Sequence, residues 1–460
     1  MKKTLALLLA AAFLYVMPIP SGSVKSQTPA PGKFQRVANP IPNRYIVVLA
    51  TTDLSPIANP TPALAPKAAT TTMKATTSTA AALTLDDSSS TSFATEPAPD
   101  PTVVATATQL TSTYGGTFSE TWGVALKGFR LNATETQAIA MSNDSKVAFI
   151  VEDGAIAVGT PDSDPIRMSP DPSADLNPQP HASWGLDRID QHYLPLNDSY
   201  AYLNDGEGVN AYIIDTGILT THYEFRGRAY AIYDALDPEG AGVDCNGHGS
   251  HVAGIVGGRT FGVAKKVRLF SVRVLDCQGT GSWSDVINGV NFVTWHHAQP
   301  AQQGIPAVAN MSLSGGTNRA VEAAVRNSIR AQVTYVVAAG NWNSDAAGYS
   351  PAAVAEAITV GATDRNDFRA EFSNFGPTLD LFAPGVGITS AWIGDDLMIA
   401  TASGTSMAAP HVTGVVALYL ESHRTASPAT VRSALVDNST GGVIKNAGQE
   451  SPNRLLFTNY

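Results

Sequence analysis

The chain has 460 residues and a mass of 48.0 kDa, 44% of them hydrophobic and 15% charged. That composition is globular, and the length calls for two or three domains rather than one. The formal charge is −10, and residues 177–460 hold 17 Lys+Arg against 25 Asp+Glu, a balance that argues against a nucleic-acid partner.

Lys2-Lys3 and the apolar run 5–17 form a charged region and a hydrophobic region too short for a comfortable membrane span. Small residues follow at Ser21, Gly22, Ser23 and Ser26, so residues 1–26 are expected to be a signal peptide; an uncleaved anchor is the alternative. No second long apolar run follows, so no membrane segment is expected in the mature form. Residues 43–49 (Asn-Arg-Tyr-Ile-Val-Val-Leu) predict a strand. Residues 51–104 are dominated by Ala, Thr, Ser and Pro, cannot bury enough apolar surface to fold, and read as a low-complexity insertion. Order is expected to resume at Gln109, with a hairpin over 114–131, a helix over 132–141 with a capping-box pattern, and a last strand over 147–152. Residues 161–180, rich in Pro, Asp and Ser, read as an exposed linker open to processing.

From Trp184 onward apolar strands alternate with helical stretches. Strands are predicted at 209–214, 267–274, 307–311, 333–338 and 357–360, and helices at 248–257, 284–297, 320–331 and 406–422. That alternation predicts an α/β fold, a parallel sheet with helices on both faces.

Three stretches carry chemistry. In Gly404-Thr405-Ser406-Met407-Ala408-Ala409-Pro410, Pro410 is tolerable only in a first helical turn. Ser406 therefore sits at a helix N-terminus, where unpaired N–H groups favour developing negative charge. A serine nucleophile needs a base and an orienting carboxylate. Asp215 ends the apolar run 209–214, at the carboxyl end of a strand, where open α/β sheets place their sites. His248 stands at the mouth of the helix that follows Asn246-Gly247. His251, three residues on, is the rival base; His411, inside the Ser406 helix, reads as structural.

Asp215-Thr216-Gly217, His248-Gly249-Ser250-His251 and Gly404-Thr405-Ser406-Met407-Ala408, in this order, resemble the subtilisin-like serine proteases. Trp184-Gly185-Leu186-Asp187-Arg188-Ile189-Asp190-Gln191 and Phe261-Gly262-Val263-Ala264-Lys265-Lys266 look closest to the proteinase K and aqualysin branch. Ser250 stands where that family usually has Thr. The resemblance covers about 177–460 and implies a secreted serine endopeptidase of broad specificity. It would act on proteins and peptides through Asp215, His248 and Ser406, with no catalytic cofactor. Asn341, at the end of the strand over 333–338, is then the oxyanion donor beside the Ser406 N–H. Gly279, Thr280 and Gly281, with Ser312, Leu313 and Ser314, would pair with an extended substrate. Ala338, Ala339 and Gly340 would wall the primary pocket.

The same resemblance makes residues 43–158 an inhibitor-type propeptide of small α+β (ferredoxin-like) fold, acting as intramolecular chaperone. It is preceded by a pro-region at 27–42 and followed by a processing linker at 159–176; an unrelated accessory domain is the alternative. The mature chain, expected to be a monomer, would start near Asn177. Cys245 and Cys277 are the only two cysteines. Their even number beside a signal peptide suggests a disulfide, and the resemblance implies this pairing; two buried thiols are the alternative. Structural Ca²⁺ is implied at Asp187, Asp190, Gln191, Asn197 and Ser199, and again at Asp380 with carbonyls near Ala355 and Ala357. Solvated carboxylates are the alternative at both places. A catalytically silent binding module is disfavoured by the complete Asp, His, Ser and Asn set. A surface protein organised by the Thr/Ala/Pro tract remains the other class.

Overall fold

The computed structural model describes residues 32–50, 97–237 and 242–460. The expected signal peptide and residues 51–96 of the expected insertion lie outside them. The amino-terminal part runs β1 (Pro40–Leu49), α1 (Pro101–Tyr114), β2 (Thr117–Trp122), β3 (Gly128–Asn132), α2 (Glu135–Ser142) and β4 (Val147–Ala157). Its sheet has the order β4-β1-β3-β2, antiparallel throughout, with Phe34–Gln35 added parallel to β4. Helix α2 has the expected capping box: Thr134 Oγ1 accepts from Gln137 N and the Gln137 side chain accepts from Thr134 N.

Helix α1 was not expected. It enters the stretch read as an insertion at 101–104, and Asp100 caps it by accepting from Thr102 N and Val103 N. Its threonines mask it, because β-branched residues lower helix propensity. Thr106, Thr108, Thr111 and Thr113 each return a hydroxyl bond to the carbonyl four residues back.

Alternation along β1 shows what this part is built against. Tyr45, Val47 and Leu49 face the core formed with α1 and α2. Ile46 and Val48, on the other face of the pleat, join Trp122 and Val151 in a core that belongs mostly to residues 212–357. Both faces of the strand are therefore buried, one internally and one against the rest of the chain.

The second part is organised by a nine-stranded sheet. Its strands are β6 (Asn210–Asp215), β7 (Ala229–Asp234), β8 (Arg268–Arg273), β9 (Ala307–Met311), β10 (Val333–Ala338), β11 (Ile358–Thr363), β12 (Leu381–Pro384), Thr440–Gly441 and Arg454–Leu455. The order is β7-β8-β6-β9-β10-β11-β12, then Arg454–Leu455 and Thr440–Gly441; only the last pair is antiparallel. Helices α3 (His248–Gly257) and α6 (Thr405–Ser422) share one core, and α4 (Trp283–His297) and α5 (Arg319–Arg330) pack in the other. This is the predicted parallel sheet with helices on both faces. The linker is not bare coil: β5 (Ile166–Arg167) pairs with Met398–Ile399, and Gln179–Pro180 with Ser199–Tyr200.

Candidate active site

Strand β6 is buried along its whole length and delivers Asp215 at its carboxyl end. The turn before α3 delivers His248. Asp244, which the sequence reading missed, shapes that turn: Oδ1 accepts from Thr216 Oγ1, Asn246 N and Gly247 N, and Oδ2 from Ser250 N and Ser250 Oγ. The only sequence signal was an acidic residue just before Asn246-Gly247. The Ser250 hydroxyl also accepts from Leu219 N at 2.9 Å, so the small hydroxyl that replaces Thr is used in both directions.

His248 Nδ1 lies 2.7 Å from Asp215 Oδ1, and both side chains are buried. Burial pulls the His248 pKa down, but the charge and hydrogen bond of Asp215 more than offset it, leaving it above the ordinary imidazole value. Ser406 lines the same cleft as His248 and Asn341. Its hydroxyl donates to Ser312 O at 2.9 Å, while His248 Nε2 is buried with no hydrogen-bond partner among the described residues. The Ser406 hydroxyl is therefore bonded to Ser312 and not to the imidazole in this structure.

Asn341 is held by its oxygen: Oδ1 accepts from Thr405 N and Thr405 Oγ1, both at 2.9 Å. That leaves the Nδ2 group as the donor end, beside the start of α6. Gly340 has φ +102, and a Cβ there would come within 2.5 Å of Asn374. Only glycine lets the chain turn so tightly into Asn341. Trp342, half exposed and stacked on Tyr349 at 4.6 Å, follows directly.

The remaining candidates separate clearly. His251 is buried, with Nε2 against Ile388 O and Ala400 O, and burial with His248 nearby depresses it to about 3. His411, buried against Met407 O, is depressed to about 4. Among the described residues neither ring hydrogen-bonds Ser406. Thr280–Ser282 forms an edge strand that pairs with Ala155–Ala157, and Gly279 O accepts from Val158 N. Ser312 Oγ donates to Ser406 O, Leu313 is buried, and among the described residues no strand pairing joins Ser312–Ser314 to the amino-terminal part. Ala338 and Ala339 are buried at the end of β10. Cys245 and Cys277 form a disulfide, tying the His248 turn to the edge strand.

The two expected calcium sites differ. Asp187 accepts from Asn197 N and Asp198 N, Asn197 Oδ1 from Ser199, and the Gln191 amide donates to Tyr193 O and Pro195 O. Asp190 Oδ2 accepts from Ala201 N, but Oδ1 is buried without a partner among the described residues. Burial first, then the charge of Asp187, raises the Asp190 pKa to about 6. An orphaned buried carboxylate oxygen beside a second carboxylate fits a cation. Among the described residues no three His, Cys, Asp or Glu side chains converge, so amide and carbonyl oxygens would have to complete such a set. Asp380 does not fit: Oδ2 accepts from Thr359 N, and Oδ1 lies 2.5 Å from Arg432, whose guanidinium takes a cation's place. The sequence could not foresee Arg432, which approaches from α7 (Pro428–Asn438).

Comparison with known proteins follows the same lines. The family model described as "Subtilase family" matches residues 206–456. The chain is 50% identical over 349 residues to "Extracellular serine proteinase" of Thermus sp. (strain Rt41A), a match covering 75% of this chain and 79% of that protein. It is 46% identical over 335 residues to "Alkaline serine exoprotease A" of Vibrio alginolyticus, covering 73% of this chain and 59% of that one. A solved structure titled "Crystal structure of a cold adapted subtilisin-like serine proteinase" is 46% identical, with a TM-score of 0.58, and covers 61% of this chain and 99% of that one. Fold, cleft and matches together define a serine protease on a parallel α/β sheet. The chain belongs to the subtilase family, and it is a subtilisin-like serine endopeptidase.

Proposed function

We propose that the protein is a secreted endopeptidase made as a self-processed zymogen, and that Asp215, His248 and Ser406 form its catalytic triad. The observation that carries the triad is the 2.7 Å bond from His248 Nδ1 to Asp215 in a cleft shared with Ser406. Ser406 Oγ attacks the scissile carbonyl as His248 Nε2 takes its proton. Asp215 fixes the imidazole tautomer and stabilises the imidazolium; His248 then protonates the leaving amine. Asn341 Nδ2 and the Ser406 N–H bind the oxyanion. Water hydrolyses the acyl-enzyme. Recognition through backbone at Gly279–Gly281, and at Ser312–Ser314 in the extended complex, gives broad specificity, with Ala338, Ala339 and Gly340 lining a roomy primary pocket. Calcium at the Asp187/Asp190 loop would neutralise buried carboxylates and stabilise the fold, taking no part in the chemistry.

Residues 43–158 act as propeptide, chaperone and inhibitor at once. What supports this is the shared core through Ile46, Val48, Trp122 and Val151, and the polar seam beside it. In that seam Trp122 Nε1 donates to Asn288, Asn291 Oδ1 accepts from Val124 N and Ala125 N, and Arg44 bridges Asp153 to Ser282 and Ser284. The match to the Thermus proteinase is longer than residues 177–460, so it reaches into this part. Secretion is supported by the extracellular naming of that relative and by the charged and apolar amino terminus. The test is Ser406→Ala in a host lacking extracellular proteases. It should accumulate as an uncut precursor that a fluorophosphonate probe does not label, while wild type is cut and labelled. An uncut, unlabelled wild type refutes the assignment.

A further inference from the structure

We propose that the first self-cut falls at Gly159–Thr160, and that the new amino-terminal tail stays bound along the leaving-group side of the cleft. The proposal rests on Ser406 being the nucleophile. Two anchors fix the chain on either side of that residue. Upstream, Ala155, Ile156 and Ala157 pair antiparallel with Ser282, Gly281 and Thr280, and Val158 N donates to Gly279 O at 2.9 Å. Downstream, Asp162 N donates to Thr401 O at 2.8 Å, and Ser403 Oγ donates to Asp162 Oδ2 at 2.6 Å. Only Gly159, Thr160 and Pro161 lie between the anchors, and these three line the cleft with His248, Asn341 and Ser406.

Two peptide bonds join those three residues. In Thr160–Pro161 the leaving nitrogen carries the proline ring, which crowds the bond and restricts the residue before it. Gly159–Thr160 has no such obstacle. A Cβ built on Gly159 meets nothing within 4 Å, so the space beside the acyl residue is open to a larger side chain. Ser406 Oγ adds to the Gly159 carbonyl carbon and passes its proton to His248. The C–N bond breaks, and Thr160 N leaves with that proton as an amine. Water then releases the Gly159 carboxylate and restores Ser406.

The contacts of the tail do not involve the amino-terminal part, so the cut leaves them intact. Ile166–Arg167 pairs antiparallel with Met398–Ile399, on the strand that leads into Ser406. Met168 N donates to Leu397 O at 2.9 Å. Arg259, only 5% exposed, grips Asp175 through two bonds of 2.9 and 2.8 Å, and a third of 2.6 Å goes to Asp171 O. An incoming peptide must displace this tail to place residues beyond its scissile bond. The chain near Asn177 is held elsewhere, with Asn177 Nδ2 donating to Tyr202 O at 2.7 Å, and it does not line the cleft. A cut near Asn177 is then a later event made by a second molecule.

The experiment follows refolding of the full chain at several protein concentrations by intact mass and amino-terminal sequencing, with fluorophosphonate labelling of Ser406. The first product should begin at Thr160, at a rate independent of concentration. A product beginning near Asn177 should follow, at a rate rising with concentration. Thr160→Pro should slow the first cut at least tenfold. A labelled enzyme whose first product begins anywhere but Thr160 overturns the proposal alone. A chain neither cut nor labelled overturns the reading beneath it as well. For the tail, the Thr160-starting species is assayed with an anilide substrate and with a quenched peptide extending four residues beyond the cut. Asp175→Asn should lower the peptide KM several-fold and leave the anilide KM unchanged; equal peptide KM values refute retention of the tail.

Discussion

Two regions, the strand end at Asp215 and the helix end at Asp190, each bury a carboxylate oxygen that has no partner among the described residues, and they do so for different reasons. Asp215 Oδ2 belongs to the carboxylate bonded to His248, and Asp190 Oδ1 lies at the end of the short helix Trp184–Ile189 that carries the buried Asp187. Beside Asp215 stands His248, which in the proposed mechanism becomes a cation during each turnover, so the reaction itself would supply the counter-charge. Beside Asp190 stands another carboxylate, which raises its pKa rather than lowering it. Among the described residues no cationic side chain pairs with Asp187 or Asp190, and backbone N–H groups are their partners, so the proposed counter-charge there is a calcium ion. Burial raises the carboxylate in the Asp190 region first and the charge of Asp187 adds to it, so the charges nearby distinguish two carboxylates that are alike in being buried.

The strongest way to break the comparison is to remove the charge at Asp215. Asp215→Asn keeps the shape but favours the wrong imidazole tautomer and deprives the imidazolium of its partner. The expected loss in kcat is about 10⁴. The pH profile sharpens it. His248 must be neutral to act as base, so kcat/KM falls as pH drops through its pKa. In wild type that acid limb should lie above the ordinary imidazole value of 6.5, because Asp215 outweighs burial. In Asp215→Asn only the weaker pull of Asp244 opposes burial, and the limb should move to lower pH. A limb that does not move separates Asp215 from the titrating base.

Asn341→Ala should come next, since it removes an oxyanion donor and touches neither carboxylate. The loss known for subtilisin's own oxyanion asparagine, about 10² to 10³ in kcat with KM little changed, is the magnitude to expect. The acid limb should stay at the wild-type pH. Steady-state kinetics at several pH values checks both; unchanged turnover would reject the oxyanion assignment.

The sequence made one member of this pair of regions far more legible than the other. Asp215, His248 and Ser406 stand in ordered local motifs, each at the end of a strand or helix that apolar runs announce. Helix α3 and strands β9 and β10 were predicted to the residue. Asp190 was a candidate only through resemblance, and its orphaned oxygen follows from three-dimensional burial. Arg432 was invisible for a related reason: its partner Asp380 lies on another element, and no local pattern records an approach between them. Helix α1 was hidden by its threonines. The chain's course through the cleft depends on a strand pairing between residues more than a hundred positions apart, which composition does not encode.

Calcium removal is the test of the Asp190 side. With calcium at 100 times Kd, ligand linkage contributes about 2.7 kcal/mol to stability. Chelation should therefore lower the melting temperature while the kcat of the surviving folded enzyme stays the same. Asp190→Asn should remove most of the calcium dependence. Equal melting temperatures with chelator and with calcium, after metal analysis shows the ion gone, would return Asp187 and Asp190 to solvated loop carboxylates.

The smallest expected effect is at Asp380, where the chain supplies its own cation. Arg432 is 41% exposed while Asp380 is 4% exposed, so the ion pair is half in water and solvent screens it. Arg432→Ala should cost only about 1 kcal/mol without calcium, the upper end for exposed pairs. The informative change is in calcium response. The substitution frees Asp380 Oδ1, with the carbonyls of Ala355 and Ala357 nearby in sequence and Thr359 N still holding Oδ2. The variant's melting temperature should then rise with calcium over a range where the wild-type Asp187/Asp190 site is already saturated. Arg432→Lys, which keeps a positive charge, should not acquire that second rise. Calorimetric titration of wild type, Arg432→Ala and Arg432→Lys distinguishes the cases. If wild type itself shows the second rise, a cation competes with Arg432 for Asp380, and the contrast between a self-neutralised carboxylate and one that needs an ion fails at this position.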